Sequence, residues 1–205
     1  MENISVFDML KIGIGPSSSH TLGPWLAATQ FCNELKELHK FDSTNQVIIQ
    51  LYGSLALTGK GHGTDIAIFM GLSGTDPELV PLEQVVSIPK AIQEDYLLHL
   101  GGSKYIGFNP LTDLQFHDQE FLPFHSNGMR LTAYDASRTL ILEETYYSIG
   151  GGFFVKATDE KIESSGPNIP FPVNSAQDLL GYCASEDLNI CHLFCRWSQG
   201  YVQFD

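Results

Sequence analysis

Positive charge is scarce in this sequence: 11 lysines and arginines stand against 24 aspartates and glutamates, giving a net charge of −13. Such a surface repels phosphate backbones and anionic headgroups, which argues against nucleic acid and membranes as partners. Cysteine is also sparse. Cys32, Cys183, Cys191 and Cys195 are the only four, too few for a disulfide-held scaffold and in keeping with thiols in a reducing compartment. No apolar run approaches the roughly 20 residues that a membrane-spanning helix needs, and Met1-Glu2-Asn3-Ile4 lacks the basic-then-apolar character of a secretory signal. The expected location is the cytoplasm.

Familiar catalytic fingerprints are missing as well. Gly13-Ile14-Gly15 is followed by Ser18 where a dinucleotide-binding turn needs its third glycine, and Gly53 to Gly61 departs from the phosphate-loop spacing. No Gly-x-Ser-x-Gly occurs, so a serine hydrolase has no local support. Three cysteines do gather near the end, as Cys183-x7-Cys191-x3-Cys195 with His192 adjacent, but no Cys-x2-Cys pair accompanies them. They are expected to be packing thiols, and no metal ligands are expected in this chain.

What is present suffices for a folded core: 43% of the 205 residues are hydrophobic and 11% aromatic. Trp25, Ala28, Cys32, Leu35 and Leu38 recur every three or four residues after Gly23-Pro24, which predicts a helix to about Lys40. Val47 to Tyr52 reads as a buried strand, and Ile66 to Leu72, capped by Thr64-Asp65, as a short helix. Ala91 to Leu100 is predicted helical, ending at Gly101-Gly102. From Lys104 onward short β-forming segments, among them Gln115-Phe116, Arg130 to Tyr134 and Thr139 to Tyr147, alternate with turns and predict a largely antiparallel sheet. A Pro-rich linker at Gly166 to Pro172 precedes a helix capped by Ser175 and running through Cys183. The expected class is α+β, a mostly antiparallel sheet with packed helices over residues 1–165, followed by a linker and helical segment over 166–205.

Small polar donors concentrate beside histidines. Gly15-Pro16-Ser17-Ser18-Ser19-His20-Thr21 lies just before the first helix, where amides and three hydroxyls can hold a carboxylate or phosphate, although capping alone needs only one of them. Gly59-Lys60-Gly61-His62-Gly63-Thr64-Asp65 sets a histidine among glycines that let a ligand approach; the alternative is a solvated turn. A strand before it and a helix after it would hold this loop, making His62 the foremost candidate for proton transfer, with His20 second and His125 third. Thr64 is a further donor, and Asp65 fits as a cap or as the group orienting His62. His125-Ser126-Asn127-Gly128-Met129 and Tyr147-Ser148-Ile149-Gly150-Gly151-Gly152-Phe153 read singly as turns.

In combination these stretches resemble the bacterial iron-sulfur L-serine dehydratases. The opening from Ile4 through Thr21, the long stretch Tyr52 to Asp65, and Tyr146 to Phe153 match that family's amino-terminal part in order. The resemblance implies deamination of L-serine to pyruvate and ammonia by the complete enzyme, with a 4Fe-4S cluster carried by a separate helical domain or subunit and none in this chain. It implies a fold similar to the allosteric substrate-binding domain of phosphoglycerate dehydrogenases, and a homodimer. His62 and His20 become the catalytic candidates, with Ser17, Ser18, Ser19, Thr64, Asp65, His125, Asn127 and Gly128 as binders of serine or an anion. A purely regulatory amino-acid sensor is the competing expectation, and the chain alone is expected to be inactive.

Overall fold

The computed structural model describes residues 13–158 and 176–193. The chain falls into two units, residues 11–161 and residues 1–10 with 162–205.

In the larger unit the first helix, α1, spans Leu22–Glu37. Pro24 falls in its first turn, where a missing amide costs nothing, and the predicted stripe of Trp25, Ala28, Cys32 and Leu35 is buried together with Phe31. Strand β1, Gln46–Tyr52, alternates as the sequence predicts: Val47, Ile49 and Leu51 have no exposed surface, while the residues between them are only partly covered.

The glycine-rich stretch that follows is a helix rather than the expected loop. This α2 runs Gly53–His62 directly out of β1. Gly53 bends the chain at φ +53, and a Cβ there would lie 2.4 Å from the Ser126 carbonyl, so only glycine fits. Its amide and that of Ser54 donate to the carbonyls of Glu120 and Ser126 at 2.8 Å each. The loop before β5 thus satisfies the helix start that no side chain caps. Gly63, left-handed at φ 73, ends α2 and begins α3, Thr64–Leu72. Neither Thr64 nor Asp65 supplies the expected cap. Helix α3 is buried over Ala67 to Leu72 and packs on α1 so closely that a Cβ on Gly71 would lie 2.3 Å from the Trp25 carbonyl.

Helix α4, Leu82–Asp95, starts nine residues before the predicted boundary and stops before Leu97–Leu100, which is strand β2 rather than helix. Pro89 lies inside α4 and removes one internal hydrogen bond. That proline hid the first half of the helix. Strand β2 pairs with β3, Lys104–Gly107, across the positive-φ glycines 101 and 102. A short α5, Pro110–Asp113, has its start capped by the Asn109 side chain, which accepts from the Leu111 amide. Then come β4 (Leu114–His117), β5 (Gly128–Tyr134), β6 (Leu140–Gly150) and β7 (Phe153–Lys156).

The main sheet has the order β4-β1-β5-β6-β7, antiparallel except for the β1–β4 pair. This is the predicted α+β class with one parallel edge. One face carries the core: Ile49 sits opposite Leu131 and Leu51 opposite Met129, all without exposed surface. Helix α1 is pinned to this face by the Lys156 ammonium, 2.7 Å from Glu34 and 2.9 Å from Glu144, and Tyr146 donates to Glu34 at 3.2 Å. Burial works against the Lys156 charge, but the two carboxylates prevail and hold its pKa above the ordinary lysine value.

In the smaller unit helix α6 spans Ala176–Ser185 and carries Cys183. The predicted linker, the Ser175 cap and Cys195 lie outside the described residues.

Candidate functional site

Helix geometry assembles the site from two stretches that are 34 residues apart or more. In α2, Ser54, Thr58 and His62 recur every four residues and so share one face. The Thr58 hydroxyl donates to the Ser54 carbonyl at 2.9 Å, and His62 Nδ1 lies 2.9 Å from the Thr58 carbonyl. A carbonyl only accepts, so Nδ1 carries the proton and Nε2 keeps its lone pair in the neutral ring. No described residue hydrogen-bonds that second nitrogen. The Thr58 carbonyl, not Asp65, orients His62.

His20 lies against it, with ring centroids 4.9 Å apart at 40°. Only 9% of His20 is exposed. Its Nε2 is 3.1 Å from the Ser54 hydroxyl and its Nδ1 3.0 Å from that of Ser19, which in turn is 3.2 Å from the Ser17 hydroxyl. Burial first, and the neighbouring His62 second, lower the His20 pKa; a hydrogen bond at Ser54 opposes them without prevailing. His20 is thereby held neutral with both nitrogens occupied. The Thr64 hydroxyl, fully buried, donates to the His20 carbonyl at 2.7 Å and fixes the backbone beneath the ring.

The serine loop is tightly wound. The amides of His20 and Thr21 donate to the Ser17 carbonyl and that of Gly23 to Ser18, so these three backbone donors are already engaged. The Ser18 side chain is exposed. Asp65 lies elsewhere, lining with Lys60, Phe69, Gln93, Tyr96 and Phe116 a hollow of about 500 Å³. His62 instead borders a smaller hollow of about 190 Å³ with Ile14, Trp25, Ile66 and Val85. A roomier hollow, about 640 Å³, lies between the start of α1, residues 74–78 and Gly152 to Phe154. It contains no histidine, so chemistry rather than volume selects the His20–His62 pair.

His125, Asn127 and Gly128 form a neighbouring corner. The Asn127 amide donates to His125 Nδ1 at 3.1 Å and its side chain to the Ser148 carbonyl, also at 3.1 Å. Among the described residues no hydrogen bond or ring contact joins these three to His20 or His62; the link runs through Ser126, whose carbonyl receives the Ser54 amide. Ser54 was not among the residues singled out from the sequence. Its signal was the four-residue spacing to Thr58 and His62, hidden by reading the stretch as a loop.

The described cysteines do not fit an iron-sulfur cluster, which needs several converging thiolates. Cys32 donates into the Leu72 carbonyl at 3.6 Å, and burial pushes its pKa up to about 12. Among the described residues no three His, Cys, Asp or Glu side chains converge as metal ligands.

The family described as "Serine dehydratase beta chain" matches residues 5–159. The L-serine dehydratase of Haemophilus influenzae is 44% identical over 90% of this chain and 41% of its own length. L-serine dehydratase 1 of Escherichia coli is 44% identical over 88% and 40%, and the L-serine dehydratase of Streptomyces coelicolor 40% over 93% and 42%. The chain spans about two fifths of the length of these curated relatives.

Proposed function

Because the chain belongs to the serine dehydratase beta-chain family, we propose that it forms the part of an L-serine dehydratase that supplies the base for deamination of L-serine. The observation that carries this is the fixed tautomer of His62: with Nδ1 donating to the Thr58 carbonyl, the lone pair on Nε2 is left to accept a proton. The substrate proton concerned is the one on the α-carbon. Its removal, with loss of the β-hydroxyl, leaves an enamine that tautomerises to an imine and hydrolyses to pyruvate and ammonia.

His20 is a positioning residue in this reading. Neutral and held by Ser19 and Ser54, it packs against the His62 ring without competing for the proton. The exposed Ser18 hydroxyl and the Ser17–Ser19 pair are the groups of the loop that would meet the serine carboxylate. The acid that the departing hydroxide requires comes from outside the described residues.

In the complete enzyme, His62→Asn is expected to lower turnover of L-serine by about 10²- to 10⁴-fold, the contribution of a positioned base, while the far-UV spectrum stays that of the wild type. A purely regulatory role, in which serine binds here without chemistry, predicts near-normal turnover at saturating serine and a change only in its activation.

A further inference from the structure

Helix α4 is apolar on two sides. Its inner side is set by Ile92 and Pro89, which are buried, and by Ile88, packed on the core. Its outer side carries Leu82 and Val86, four residues apart on one face and 73% and 70% exposed; Leu79, in the preceding turn, is 79% exposed. Val85, between them, reaches the hollow beside His62, as does Ile66, itself 37% exposed. Val85, three residues after Leu82, thus links the apolar outer side of α4 to the hollow that His62 borders.

The hollow has the wrong chemistry for serine alone. Ile14, Pro16, Trp25, Ile66, Ala67 and Val85 line it, whereas serine is a zwitterion with a hydroxyl. Such a wall suits an aliphatic or aromatic side chain, and it offers ordered water few partners. Three large aliphatic side chains standing in solvent next to it form the kind of patch that marks a protein contact. Acidic Glu78 and Glu83 lie exposed beside that patch, and Lys90, one turn beyond Val86, is paired with Glu94, so a second copy would bring a net excess of like charges together, whereas a partner with an apolar centre and a basic rim is complementary.

We infer that the remainder of the dehydratase, the three fifths of the relatives' length that this chain does not span, docks on Leu79, Leu82 and Val86 and inserts an apolar side chain into the hollow beside His62. The docking closes the open side of the base site and sets the partner's contribution against Nε2. This inference rests on the reading of the chain as part of an L-serine dehydratase.

The test uses the complete, pyruvate-forming enzyme with a photoreactive amino acid installed at position 86, crosslinked peptides being identified by mass spectrometry. A crosslink to the remainder is the expected result. Crosslinks only to a second copy of this segment, or none, would overturn the docking surface. A Val86→Cys enzyme gives a second readout: maleimide should label it at least roughly tenfold more slowly in the native enzyme than in urea, as burial requires, and equal rates would reject the inference. Neither readout depends on His62, so a crosslinked His62→Asn enzyme with normal turnover would sink the base while sparing the surface. Absence of pyruvate formation by the wild-type enzyme would instead sink the dehydratase reading itself.

Discussion

Two serine hydroxyls and one threonine carbonyl decide what the histidines can do. Ser19 and Ser54 occupy both nitrogens of His20, and Thr58 occupies one nitrogen of His62. In the proposed function, the different roles of the two histidines follow from this hydrogen bonding. It also has a cost at low pH. The His20 pKa is lowered in the folded protein from its ordinary value of 6.5, so the unfolded chain binds the proton more readily. The associated stability is present above pH 6.5 and is lost as the pH falls towards the folded-state pKa. Urea unfolding at pH 7 and at pH 5 should show a larger loss for the wild type than for His20→Asn; equal losses would show that the buried ring does not resist protonation. The sequence made His20 and His62 legible, because serines and glycines beside an imidazole are more than a turn needs. It could not make Ser54 legible, since its role depends on α2 being a helix.

The elements were readable where a hydrophobic period was strong and unreadable where glycine or proline masked it. Helix α1 and strand β1 follow their periods of about 3.6 and 2 with little deviation. Helix α2 contains two glycines after its first residue, Gly59 and Gly61, poor helix formers that are tolerated because β1 and the loop before β5 hold the start. Helix α4 contains Pro89 as an interior residue, and the predicted helix began only after it, at Ala91. Parallel pairing of β4 with β1 depends on contacts across more than sixty positions and leaves no local trace. Glycines within helices also have opposite roles. Gly71 lets α3 approach α1, and a Cβ there meets the Trp25 carbonyl at 2.3 Å and Ala28 at 2.9 Å. Gly61 in α2 faces open space. Gly71→Ala should therefore destabilise by about 1–3 kcal/mol, overpacking outweighing helix propensity, whereas Gly61→Ala should stabilise by up to about 1 kcal/mol. Thermal melting of the two variants checks the sign; a stabilised Gly71→Ala would mean that the helices can move apart freely.

For the whole molecule, the resemblance in three separated motifs placed the chain in its family where no single motif was specific enough to do so. The charge of −13 narrows the surfaces that can meet it, and the apolar strip on α4 departs from this acidic character. Since the chain spans two fifths of its relatives, and the proposed reaction needs an acid for the departing hydroxide that no described residue at His62 is assigned to supply, the 205-residue chain alone should form no pyruvate from L-serine. A coupled lactate dehydrogenase assay reads this directly, and steady turnover would show that a complete site is already present. Trp25 adds an optical consequence. Its indole is 1% exposed, donates to the Thr75 carbonyl at 2.9 Å, and forms a wall of the hollow beside His62. Indole emission depends on the polarity and quenchers at its face, so the molecule carries an intrinsic fluorophore at the point where substrate and partner would converge. With the second tryptophan, Trp197, replaced by phenylalanine, a single emission band would follow the filling of that hollow in real time, without any attached dye.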